Sequence, residues 1–368
     1  MTAPRGRVGG GVDVAGRGAH SGIAGVLASG WVVGLAPAVL AIGGGLLLGG
    51  LLVSLLGVSP LEFYSVLAKG TVGSAFGWGQ VLFRATPLVF TGLSVAFAFQ
   101  ARLFNIGAEG QMLLGGLVLA WVGAWTGIPG APFGVLLALL AAAAMGGVWG
   151  AIPGLLKAKT GSHEVIVTIL LNFVAFALVN YLLTRGLALP ETVRTAEIQE
   201  GARLARLTEW VPVFRGAPVN AALFLACAAA VLLQLWLRLS PHGLSLQLLG
   251  EGPGAARYAG LSVGRLTVLA MTGAGALAGL GGASFVLGYK YYFEEGFTGG
   301  AGFLGIAVAL LARNRPLWVV PSALFFGALS YGGFVVNRLV PRELLDVLQA
   351  VILLLFILFD QRLGRKRT

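Results

Sequence analysis

The chain of 368 residues is 57% apolar and 11% charged, with 58 glycines, mean hydropathy +0.89 and formal net charge +11. These values exclude a soluble domain of this length, because a chain so poor in charge takes lipid as its main solvent. One cysteine, Cys227, excludes an intrachain disulfide or a cysteine metal framework, and His20, His163 and His242 are too scattered to supply ligand spacing, so no metal site is expected. No basic stretch is interleaved with aromatics, so no nucleic-acid partner is expected and the positive charge is read as membrane topology.

Residues 1–22 mix arginines with glycines and read as a disordered cytoplasmic tail. The run 23–58 carries no charge over 36 residues, more than the ~20 a helix needs to cross hydrocarbon but short for two crossings, so one span with Pro37 inside it is expected. Residues 59–78 hold Glu62, Tyr64, Lys69 and Trp78 and read as a surface segment on the far side. Spans two (81–100) and three (111–126) follow, then a tight outer loop at 127–132 and span four at 133–153, which stops before Lys157 and Lys159. Span five, 164–183, puts Thr168 and Asn172 four residues apart on one helix face. Asn172 has two readings, an amide that glues helices together or a polar group on a solute path.

The segment 186–216 is hydrophilic with mixed charge and reads as a folded extracytoplasmic loop, either a lip for a soluble partner or a spacer. Span six, 217–237, opens onto a cytoplasmic loop at 239–265, in which Pro253 as a start and Gly260 as a stop frame a helix of two turns. Spacing alone also allows that helix to lie on headgroups. Span seven, 267–288, ends in an interfacial girdle from Tyr289 to Glu295, and the glycine-rich piece 297–312 is short enough to be partly re-entrant. Segments 317–336 and 344–359 complete the membrane domain, 23–360, before a basic cytoplasmic tail at 361–368. The fold class is therefore all-α, a polytopic membrane protein of about ten transmembrane helices with both termini cytoplasmic. Fifteen of the 25 Lys and Arg residues fall on the side of the termini, the sign that cytoplasmic loops require.

The stretch RLFNIGAEGQ, 102–111, sits between two of these runs. Glu109 there costs about 2.5–3.5 kcal/mol if it lies at the bilayer centre, so it needs a partner or water. Asn105, Gly107 and Gly110 let the backbone leave the helix beside it, which is tolerated at membrane depth only against protein or a water-filled cavity. Asn105, Glu109 and Gln111 are read as architecture beside a solute pathway, and Asn172 and Gln349 as polar groups of that pathway. Both mid-membrane and the cytoplasmic edge remain open for this bend. FNIGA, from Phe104, is echoed by FTGGA, from Phe297, at an offset of 193. Matching glycine-interrupted segments can mark a transporter's centre, although in so glycine-rich a chain coincidence is the simpler account.

The P-loop pattern G-x-x-x-x-G-K-[ST] is absent, so no phosphate cradle, no cofactor and no catalytic residue is assigned, and ATP hydrolysis would fall to another chain. Three strings, FNIGAEGQ (104–111), GAARYAGLSVGRL (254–266) and GIAVALLARNRP (305–316), stand in order within 86–351. They resemble the permease subunit of ABC importers for nucleosides and simple sugars, within the branched-chain amino acid and ribose-type permease superfamily and nearest its nucleoside branch. Arg315 departs from that pattern where a second asparagine commonly stands. The resemblance implies a bacterial plasma (inner) membrane location and a solute that is a nucleoside or simple sugar. It also implies three partners: a cytoplasmic ABC ATPase, a second homologous permease or a second copy, and an extracytoplasmic solute-binding protein. It further implies that the segment from Glu251 to Gly260 is the coupling helix that docks on the ATPase, with Arg257 and Tyr258 as projecting contacts. The residues alone also allow an ion-coupled carrier or facilitator of small polar solutes in which Glu109 carries the proton.

Overall fold

The computed structural model describes residues 23–365 except 126, and the side chains of 36–363. The expected tail 1–22 and the last three residues, 366–368, lie outside the described residues. In lipid the backbone must satisfy its own hydrogen bonds, so each apolar run folds as helix. Punctuating residues set the boundaries. Helix α1 (Ile23–Leu55) gives way at Gly57, whose φ is 78°, and α2 (Pro60–Thr71) opens on a proline. The Oγ of Ser74 accepts a 3.0 Å hydrogen bond from the Gly77 amide and starts α3 (Ala75–Gln100), followed by α4 (Ala108–Gly123). Gly161, left-handed at φ 73°, ends α5 (Phe133–Thr160), and α6 (Glu164–Leu182) runs on through a π-helical turn, Leu183–Leu187.

The four-residue α7 (Leu207–Trp210) lies in the irregular segment before α8 (Ala222–Leu239). A serine cap at Ser240 and a proline start α9 (Pro241–Glu251), and a second proline starts α10 (Pro253–Tyr258). Helix α11 (Val263–Gly279) continues as a 3-10 turn, Leu280–Gly282, then α12 (Ala283–Phe285) and a π-helical turn, Val286–Lys290. The chain closes with α13 (Ala301–Leu311), α14 (Pro316–Val336) and α15 (Glu343–Arg365). Among the described residues there is no β-strand, only isolated bridges such as Arg194 with Glu294.

Among the described residues, seven helices are long and apolar enough to cross a membrane, and α4 and α13 are shorter apolar helices. With the 23-residue α15 these account for the ten expected segments. Several boundaries differ from the sequence reading. Residues 59–78 form α2 and the first turn of α3 rather than a surface strip, with Phe63 fully buried and the Tyr64 hydroxyl donating to the Leu46 carbonyl of α1. Pro153 lies inside α5 instead of ending it, and the expected tail from 361 is helical as far as Arg365.

Close packing rests on small residues. Helix α5 lies along α11 so tightly that a Cβ on Gly275 or Gly279 would collide with backbone of Gly146 or Ala142. Hydrogen bonds then define two ends of the bundle. At the first, the Gln100 Nε2 donates to the Asn314 carbonyl at 3.0 Å and Arg313 pairs with Asp360 at 2.7 Å. At the second, the Gln199 amide donates to Gly123 at 2.8 Å, the Ile198 amide to Tyr291 at 2.7 Å and the Arg206 guanidinium to Tyr289 at 2.9 Å.

Candidate functional site

The site is built where two helices begin inside the bundle. After Gln100 the chain turns through Arg102, left-handed at φ 51°, and folds back along α3 instead of leaving the bundle. Asn105 therefore faces Ser94, donating to its Oγ at 3.0 Å. Ser94 is six residues before Gln100 on a continuous helix, which sets Asn105 about 9 Å in from the end of α3. The bend is re-entrant.

Its polar groups satisfy one another. Asn105, 0% exposed, donates to the Gln111 Oε1 at 2.8 Å and accepts from the Gly107 amide at 3.1 Å and the Gln111 Nε2 at 3.2 Å. Asn172 reaches across from α6, its Oδ1 accepting from the Gly110 amide at 2.9 Å and its Nδ2 donating to the Ile106 carbonyl at 2.9 Å. A buried backbone group without a partner costs about 1–3 kcal/mol, so one amide that satisfies two of them is what keeps this irregular segment at depth. The geometry of Asn172 is that of interhelical glue.

Glu109, 2% exposed in the first turn of α4, accepts a 2.7 Å hydrogen bond from the Gly302 amide in the first turn of α13. The Thr91 Oγ1 donates to the neighbouring Ala301 carbonyl at 3.0 Å. One carboxylate thus lies at the positive ends of two helix dipoles, which answers the sequence-level need for a partner. A Cβ on Gly302 would fall within the backbone of Glu109, so the two helix starts touch directly. Glu109 and Gly302 are separated by 193 residues, the offset of the FNIGA and FTGGA echo. The echo therefore coincides with a physical junction between two re-entrant segments that enter from opposite ends.

Asn105, Glu109, Gln111 and Asn172 come together at this junction. Gln349 does not: it is buried on α15, and the contact described for it is a 3.4 Å hydrogen bond to Asp346. Glu251, Arg257, Tyr258 and Gly260 lie apart from the junction, on and around α10 at the first end of the bundle. Tyr258 is 98% exposed, Gly252 and Gly260 take φ of 156° and 73° on either side, and Gly250 packs on the Gln100 carbonyl. Sequence reading missed Ser94, Thr91 and Gly302; only the last had a signal, the 193-residue echo. Beside the junction a partly enclosed cavity of about 130 Å³ is lined by groups from α3, α4, the 3-10 turn and α12 that follow α11, residues 297–301, α13 and α14.

Comparison with known proteins matches residues 77–357 to the family described as the permease component of a branched-chain amino acid transport system. The chain is 38% identical over 319 residues to the guanosine ABC transporter permease protein NupP of Bacillus subtilis, covering 84% of this chain and 89% of that one. A glucose ABC transporter permease protein of Haloferax volcanii is 36% identical, covering 85% and 84% of the two chains. A nucleoside ABC transporter permease protein of Lactococcus lactis, NupB, is 32% identical, covering 84% and 86%. With its long apolar helices and its family match over most of the chain, this protein belongs to that permease family and is a multi-pass plasma-membrane permease subunit of an ABC importer.

Proposed function

We propose that the chain forms the membrane pathway of an importer for nucleosides or simple sugars, with nucleosides the better-supported class. It is driven by a separate cytoplasmic ATPase that grips α10. The carrying observation is Tyr258, 98% exposed beside Arg257 on a short helix bounded by two glycines of positive φ. A large aromatic held out in this way on a short helix is suited to contact another chain. Force applied there has a short route inward: α10 joins α9, Gly250 of α9 touches the Gln100 carbonyl, and the re-entrant segment that carries Asn105 and Glu109 begins at once after it.

In this reading both termini, the 239–265 loop and the basic tail are cytoplasmic. The 186–216 segment at the opposite end receives a solute-binding protein, and a second permease subunit, homologous or identical, completes the pathway. Two relatives named for nucleosides or guanosine and one named for glucose support the substrate class. The test is uptake by vesicles holding the assembled complex. Replacing Arg257 by Glu and Tyr258 by Ala together should abolish ATP-driven uptake while leaving the permease folded and inserted. Unchanged ATP-driven uptake in that variant would remove α10 as the ATPase contact, and uptake that ignores ATP and collapses with the proton gradient would favour an ion-coupled carrier instead.

A further inference from the structure

We propose that Arg84 and the cavity it lines form a recognition station for the acceptor-bearing edge of a purine base. The inference rests on the nucleoside reading above and deepens it. Arg84 lies nine residues into α3, about 13 Å along a helix that crosses the membrane. An ionisable side chain inside such a segment is a functional position by default.

Its environment lacks a counter-charge. Among the described residues no carboxylate ion-pairs with Arg84; its guanidinium instead lies 4.4 Å from the centre of the Phe334 ring, and its Nε is buried without a hydrogen-bond partner. A π face balances charge but accepts no ordinary hydrogen bond, so the planar fork of donors is left open to a ligand. The cavity wall carries Phe83, Phe285 and Phe297 as flat apolar surfaces and Ser284 and Thr298 as small polar groups, and no carboxylate lines it. Gly299 and Gly300 beside it have open space where a Cβ would stand.

These features define the chemistry of the ligand. A donor-only fork asks for two adjacent acceptors in one plane, which a purine supplies as its carbonyl O6 and ring N7, the pair that arginine engages bidentately. Aromatic walls suit the faces of the same ring. The present volume of about 130 Å³ holds a few waters of ~30 Å³ each and falls below the ~300 Å³ of ligand clefts, so it admits a ring edge and widens when the whole solute passes.

The experiment is ATP-driven transport by the complete importer in proteoliposomes with its solute-binding protein saturated. It compares maximal rates for guanosine and 7-deazaguanosine, which lacks the N7 acceptor. The natural protein should move guanosine about tenfold faster, and Arg84→Gln should slow guanosine to the deaza rate and erase the difference. If Arg84→Gln does not assemble, Arg84→Lys carries the test: it keeps the charge and loses the fork, so the ratio should shrink. A ratio unchanged in either variant, or both solutes slowed by one common factor, overturns the station and returns Arg84 to a structural role, its head snorkelling toward headgroups. Nucleoside import with that unchanged ratio brings down this inference alone, whereas a natural protein that imports sugars and neither nucleoside brings down the nucleoside reading with it.

Discussion

Residues 101–107 and 291–300 both carry irregular backbone into the bundle, from opposite ends, and they are held in opposite ways. The first is fastened by side chains: Asn105, Gln111 and Asn172 bond one another, the Gly107 and Gly110 amides and the Ile106 carbonyl. The second has side-chain fastening where it enters, with the Thr195 Oγ1 accepting from the Phe293 amide at 3.0 Å beside backbone bonds to Val193, Thr195 and Ile198, and farther on it is held by its own backbone turns and by the packing of Phe297 on Phe285 and Phe293. No side chain bonds its backbone there, and Gly296, Gly299 and Gly300 all have positive φ and nothing within 4 Å of a Cβ. Backbone that has matching side-chain partners is fixed, while backbone that has glycine and free space can change its dihedrals at little cost. In a pathway that must alternate between two sides, the 296–300 piece has the freedom to move against a rigid Asn105 segment.

Substitutions sharpen or break that contrast. The largest effect is expected where the two segments meet. A side chain at Gly302 would enter the Glu109 backbone, so Gly302→Val should cost more than ~4 kcal/mol and leave little folded protein on gel filtration in detergent. A well-folded variant would mean that the junction is not packed as described. Next comes the fastened segment. Asn172→Leu strands the Gly110 amide and the Ile106 carbonyl at about 1–3 kcal/mol each, and should lower the melting temperature of the purified protein by several degrees. The smallest effect on stability belongs to the loose segment: Gly300→Ala meets no neighbour and costs about 1–2 kcal/mol for its left-handed φ of 79°. That variant should melt close to the natural protein and show its defect in transport rate instead. If Gly300→Ala destabilised more than Asn172→Leu, the assignment of rigid and mobile halves would be reversed.

Local physics made most of the architecture legible from the chain alone. Long uncharged runs have one way to bury backbone in lipid, which is helix, and Pro253 with Gly260 framed α10 by the same capping rules that the structure obeys. The four-residue spacing of Gly275 and Gly279 is a close-packing pattern visible in the chain, and the FNIGAEG string announced a break in a helix around a buried carboxylate. Boundaries strayed where a local signal was overridden. Pro153 stays inside α5 because its neighbours keep that helix packed, and 59–78 coils because Phe63 and Leu67 find a core.

Partnership across distance belongs to the tertiary structure. Apart from the faint FNIGA and FTGGA echo, nothing near Glu109 in sequence tells that its oxygen meets an amide 193 residues away, nor that Asn172 binds the bend while Gln349, of the same amide chemistry, bonds its own helix neighbour. The open donors of Arg84 become visible only with Phe334 and the cavity wall around it. Hydropathy and capping act over one or two turns and are written in the residues themselves, whereas the register between helices is set by how glycine-lined surfaces lock together.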